Sequence, residues 1–124
     1  MSVVEATPWP VEIRANAAER TLSVAFDSGE SFSYTAELLR VESPSAEVQG
    51  HSPAQKQIVA GKRLVQITAV EPVGHYAVRI VFDDGHATGI YTWAYLYELG
   101  QNRVPMWQAY LDALTARGLS RDPA

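Results

Sequence analysis

Hydrophobic and polar residues along this chain alternate at two periods. Leu22, Val24 and Phe26 are interleaved with Ser23 and Ala25, and Phe32 and Tyr34 continue the period of two beyond Asp27-Ser28-Gly29-Glu30. Period two with a turn in the middle predicts a β-hairpin over Thr21–Tyr34, preceded by a strand near Val11–Ala15. Thr35 stands where its hydroxyl can cap a short helix over Ala36–Arg40. From Glu42 to Gln57 no period holds, and Ser, Pro, Gly and Gln dominate; a loop of that length in a compact domain is unusual and predicts function or disorder.

Strand character returns at Leu64–Val70, bends at Pro72–Gly74 and continues through Tyr76–Phe82. Asp84-Gly85 is a strong hairpin signal, and Gly89–Tyr91 begins the return strand. Read as a two-residue turn, it sets Asp83 opposite His86, Phe82 opposite Ala87 and Val78 opposite Tyr91. The period then becomes helical. Thr92 is the expected N-cap of a helix ending at Gly100 or Asn102. A second helix runs from Pro105 through Trp107, Tyr110, Leu111 and Leu114 to Gly118. Strands first and helices last predict an α+β domain, a small mainly antiparallel sheet with C-terminal helices packed on it. The expected organisation is a loose segment over residues 1–9, the domain over 10–118 and a tail over 119–124.

Composition narrows the function classes. At 124 residues, 47% hydrophobic and 19% charged, the chain has material for one core. It has no cysteine, which removes disulfides, thiolate catalysis and sulfur-ligated metals, and fits a reducing compartment. No signal-peptide pattern opens the sequence and no apolar run reaches the roughly 20 residues of a membrane helix. The expectation is a cytoplasmic protein without membrane partners. A formal net charge of −4 argues against nucleic acid as partner, and Lys56, Lys62 and Arg63 read as a solvated loop.

The strings "LRVESPSAEVQGH" and "VEPVGHYAVRIVFDDGHATGIYTWAYL", with the spacing between them, resemble the bacterial DUF971 proteins. These are related to the N-terminal domain of gamma-butyrobetaine hydroxylase and trimethyllysine hydroxylase. The resemblance covers roughly Pro10–Gly100. In the hydroxylases it implies a small zinc module with three cysteines and one histidine. By position the histidine falls on His86, and the cysteines fall on or near Ser43, Ser45 and Val48. Serine hydroxyls are poor zinc ligands and valine is none, so the cofactor expectation is none. The catalytic iron of those enzymes belongs to a C-terminal domain outside the resemblance, so their activity is not expected here. A similar domain is also fused to some ATP-dependent iron–sulfur carrier proteins.

Three chemistries compete for the remaining residues. His75 and His86 are about eight strand rises apart on the expected hairpin, roughly 26 Å at ~3.3 Å each, so they share no ion. His51, in the long loop, can approach His86; with Glu42, Glu47 or Asp83 the pair makes a candidate nitrogen/oxygen metal site. Asp83 and Asp84 read as turn residues rather than paired catalytic carboxylates. Ser43 and Ser45 near His51 are the candidates for a serine hydrolase, with no nucleophile elbow around them.

The third chemistry is recognition. Tyr76, Tyr91, Trp93, Tyr95 and Tyr97 crowd the last strand and first long helix. Most are expected in the core, but Tyr91 and Trp93 can line a groove against the Glu42–Gln57 loop. The expected function is therefore a non-catalytic interaction or accessory module for an unidentified protein, linked through the family resemblance to iron–sulfur or metalloenzyme maturation. Its expected contact residues are Tyr91, Trp93, Arg40, Glu42, Gln49 and His51; metal binding through His51 and His86 is the rival.

Overall fold

The computed structural model describes residues 7–123. Six strands and four helices follow the order β1 (Pro10–Asn16), β2 (Thr21–Phe26), β3 (Ser31–Thr35), α1 (Ala36–Val41), α2 (Ala46–Gln49), β4 (Ile67–Val73), β5 (Ala77–Phe82), β6 (Ile90–Thr92), α3 (Trp93–Gln101) and α4 (Arg103–Ala116). A single 3₁₀ turn, Pro53–Gln55, lies between α2 and β4. The class is α+β with the long helices last, but the strands form two antiparallel three-stranded sheets, ordered β1-β2-β3 and β4-β5-β6.

Each sheet contributes its alternate residues to a shared core. Leu22, Val24, Phe26 and Tyr34 from the first meet Val78, Ile80, Phe82 and Tyr91 from the second, with Leu38 and Leu39 of α1 and Leu96 and Leu99 of α3 between them. Gly100 lets Phe32 close against α3, since a Cβ there would come within 2.3 Å of its ring. A smaller cluster, Val41, Tyr110 and Leu114, seats α4 on Ile58 and Val59.

The caps agree with the residue types. Thr35 Oγ1 accepts the Leu38 N–H at 3.0 Å, and Thr92 Oγ1 accepts that of Tyr95 at 3.1 Å. Asn102 ends α3 and begins α4, and Pro105 stands in the first turn of α4, where a missing N–H is tolerated. The hairpin tip differs from the expected two-residue turn. Gly85 N–H donates to Phe82 O (3.1 Å) and Phe82 N–H to His86 O (2.9 Å), so Asp83-Asp84-Gly85 is a three-residue loop with Gly85 at φ 90°. His86, not Ala87, therefore faces Phe82. Ala87–Gly89 then leave the ladder, which restores Val78 opposite Tyr91 further along.

Two segments are more ordered than their composition suggests. Glu42–Gln57 is folded around α2 and the 3₁₀ turn, tied by Gln57 N–H to Val48 O at 2.7 Å. The tail is paired as well: Gly61 N–H donates to Ser120 O (2.9 Å) and Arg63 N–H to Arg121 O (3.0 Å). The loose entry segment expected over residues 1–9 falls mostly outside the described residues. Its described end is fixed, with Asp27 N–H bonded to Trp9 O at 2.8 Å. A groove of about 390 Å³ separates the edge strands β1 and β4, lined by Ile13, Ala15, Ile67 and Pro72 among others.

Candidate functional site

The three-residue tip turns the His86 side chain inward, against the segment that links α1 to α2. His86 Nε2 lies 2.8 Å from Ser43 Oγ and 3.4 Å from Ser45 Oγ, and the two hydroxyl oxygens are 3.3 Å apart. On the other side of the ring, Nδ1 is 3.4 Å from Glu47 Oε2, and Glu47 Oε1 accepts the Thr88 hydroxyl at 3.1 Å. Burial and the nearby Arg40 guanidinium lower the His86 pKa, outweighing the Glu47 and Asp84 carboxylates. The neutral ring with Nδ1–H towards Glu47 leaves Nε2 free to accept the Ser43 hydroxyl.

Around this knot the charges neutralise one another. Asp84 Oδ1 accepts the His86 backbone N–H at 3.0 Å, while Oδ2 takes Arg40 Nε and Lys62 Nζ, each at 2.7 Å. Burial alone would raise the Asp84 pKa, but hydrogen bonds from Lys62, the His86 amide and Arg40 bring it down to about 2. Glu42 is buried and paired with Lys56 at 2.5 Å. Lys62 and Lys56, expected in a solvated loop, are thus spent on Asp84 at the hairpin tip and on the buried Glu42.

Ser43, His86 and Glu47 have the order of a catalytic triad, a combination that sequence reading missed because it looked for the base at His51. In this conformation the triad has no room for a substrate. Ser43 is fully buried, and a single methyl carbon placed on Gly89 would lie 2.4 Å from its Oγ. An acyl carbon needs at least that space beside the nucleophile.

The zinc implied by the family resemblance does not fit this donor set either. The imidazole nitrogen is occupied by a hydroxyl, the other two expected positions are Ser45 and a buried Val48, and no thiolate is present. His51 is exposed and its N–H is held by Gln55 Oε1 at 2.8 Å. Asp83 Oδ1 accepts the Gln66 N–H at 3.0 Å. Among the described residues no group of three or more His, Cys, Asp or Glu is placed to hold a metal ion.

The expected recognition groove is not a single surface. Tyr91 is fully buried, its hydroxyl donating to Leu39 O at 2.5 Å, because a tyrosine with a buried acceptor in reach belongs to the core. Glu42 and Arg40 are committed to Lys56 and Asp84, which removes them as free contacts. Gln49 is partly buried, its side-chain amide donating to Ser43 O at 2.9 Å, so His51 alone of that cluster is exposed. Trp93 lies elsewhere, at the β4–β5 turn, with Nε1–H donated to His75 O at 2.8 Å and its ring 6.4 Å from that of Trp9. Trp9, Val11 and Tyr76 stand 50%, 68% and 56% exposed, making an aromatic surface at the end of the molecule that carries Trp93. Trp9, between Pro8 and Pro10, gave no periodic signal, and Val11 was legible as the start of a strand but not as a surface residue.

No helix among the described residues is long and apolar enough to cross a membrane. Comparison with known proteins shows what the chain as a whole is similar to. The family model for the gamma-butyrobetaine hydroxylase-like N-terminal domain matches residues 13–97. Two NMR solution structures are similar at 43% identity with a TM-score of 0.84, and 46% with 0.83. The first covers 96% of this chain and 94% of the relative, the second 99% and 92%. The crystal structure of a DUF971 protein of unknown function from Acidithiobacillus ferrooxidans is 45% identical with a TM-score of 0.62, over 73% of this chain and 91% of that one. No functionally curated protein matches. The chain belongs to the gamma-butyrobetaine hydroxylase-like N-terminal, or DUF971, family.

Proposed function

We propose that this chain is a non-catalytic protein-interaction domain that docks a partner on the aromatic surface formed by Trp9, Val11, Tyr76 and Trp93. The exposure of Trp9, Val11 and Tyr76 beside the half-buried Trp93 carries the reading. Large aromatic side chains left half in water, beside a groove lined by Pro10, Ile13 and Gly74, are the residue types that anchor interfaces. The sealed Ser43–His86 knot supports the same conclusion from the other side, since it holds the hairpin tip to the α1–α2 segment and offers no access. The family resemblance suggests iron–sulfur or metalloenzyme maturation as the setting, which is an association rather than a mechanism.

The test compares affinity capture from the native host by the wild-type chain and by a Trp9→Ala/Tyr76→Ala variant whose fold is checked by amide NMR. Loss of specific partners from the variant is expected. Recovery of the same partners in equal yield would overturn the surface assignment.

A further inference from the structure

A second site lies on a different face, where the tail crosses α1 and α4. Glu37 belongs to the first turn of α1, yet its side chain is only 6% exposed. A carboxylate so far from water requires a cation with matching geometry. Arg121 supplies it: Nε and Nη2 donate to the two Glu37 oxygens at 2.9 and 2.7 Å, a fork-to-fork pair. The same guanidinium lies 5.0 Å from the centroid of the Trp107 ring. Carboxylate in plane and indole on the face together select a guanidinium over an ammonium.

Three observations separate this corner from an ordinary staple. An open cavity of about 410 Å³ adjoins the ion pair, with Ser33, Thr35 and Gln108 in its walls, so there is room for the chain that would carry another arginine. Arg121 itself is 29% exposed, and although two backbone hydrogen bonds tie its segment to residues 61–63, the Arg63–Asp122 pair beside them is 45% and 65% exposed, a surface pair that adds little to the hold. The far wall carries Arg103, whose guanidinium donates to Ser33 O and lies over Phe32, a cationic neighbour for an acidic group beside an incoming arginine.

We propose that Glu37 and Trp107 form an arginine-recognition pocket which the chain fills with its own Arg121, and that an arginine side chain of a partner protein enters it when the C-terminal segment withdraws. The segment is then an intramolecular competitor. A tethered side chain is present at an effective concentration on the order of millimolar, so a partner must exceed that or first detach the segment.

The experiment uses the full chain carrying Arg121→Ala, with N-acetyl-argininamide as probe and N-acetyl-lysinamide as control. The readout is the indole N–H NMR signal of Trp107, with those of Trp9 and Trp93 as internal references. The expected result is a saturable shift of Trp107 alone in the low millimolar range for the arginine probe. About ten-fold weaker binding is expected for the lysine probe and for the arginine probe when Glu37→Gln is added. In the wild type the shift should need at least about two-fold more probe, because a competitor at millimolar effective concentration roughly doubles a low-millimolar apparent Kd.

Should R121A fail to fold, the R121K chain keeps the charge without the fork and is titrated in the same way. The arginine probe is then expected to displace the substituted side chain and shift Trp107. Absence of any Trp107 shift in the folded variant would overturn the proposal. So would equal binding of the two probes, or wild-type binding as tight as that of the variant.

Discussion

Gly89→Ala tests whether the Ser43–His86 knot is a packed, rigid unit. Gly89 has no left-handed φ, so alanine is compatible with its backbone, and the substitution alone should stabilise by about 0.4–1 kcal/mol through the unfolded chain. The new Cβ, however, would sit 2.4 Å from Ser43 Oγ and 3.0 Å from Tyr91 Cε1. Bringing the first contact to 3.0 Å, a separation below which Cβ atoms essentially never sit, moves Oγ by at least 0.6 Å (3.0 − 2.4). That displacement breaks the 2.8 Å bond to His86 Nε2 or pushes the α1–α2 segment outwards. Overpacking costs about 1–3 kcal/mol and the lost hydrogen bond about 1, so the net destabilisation is about 1–3 kcal/mol.

A double-mutant cycle in urea isolates the cause. Ser43→Ala alone leaves the buried Nε2 with only the longer Ser45 contact and should cost about 1–2 kcal/mol. In that background the Oγ clash is gone, so Gly89→Ala should cost at least about 1 kcal/mol less than in the wild type. Additivity within about 0.5 kcal/mol would refute the reasoning, because it would mean that the two residues do not share the space the structure assigns them.

Two further outcomes are expected. Gly100→Ala forces a Cβ to within 2.3 Å of the Phe32 ring, so it should destabilise by about 3 kcal/mol or more despite the gain in helix propensity. Phe32→Leu should recover part of that loss in thermal melts. Because the folded-state pKa of His86 is depressed, the neutral ring contributes stability that is fully present above the unfolded value near 6.5. That contribution is lost as pH falls through the lower folded value, and urea midpoints followed below pH 6.5 should decline less steeply for a folded His86→Gln variant.

The local signals in the sequence were legible because each acts over a few residues. Thr35 and Thr92 cap the helices they precede, and Leu22, Val24 and Phe26 face inwards as their alternation requires. What failed depends on distant partners. The division into two sheets is invisible to periodicity, which says which face a strand buries but not which strands share its ladder. Tyr91 was expected at a surface because its acceptor, Leu39 O, lies 52 residues away. Ser43 and Ser45 were singled out by family position and as nucleophile candidates beside His51, but their contact with His86 spans 43 and 41 residues. Arg121 carried no signal at all, since a charged residue in a polar tail gives no hint of a buried carboxylate 84 residues earlier.

The separation of the strands into two half-sheets has a consequence for self-association. Each half-sheet ends in an open edge, β1 or β4, and such edges invite a strand from another molecule. Both are irregular: the β1–β2 register shifts between Pro10 and Glu12, the β4–β5 register shifts between Ile67 and Ala69, and Pro72 has no N–H to lend. A neighbouring chain therefore meets an interrupted, twisted template instead of a flat one, and fibril growth from either edge is discouraged. The bulges and Pro72 are in this sense quality control written into the backbone, acting at high concentration rather than in the folded chain's own stability.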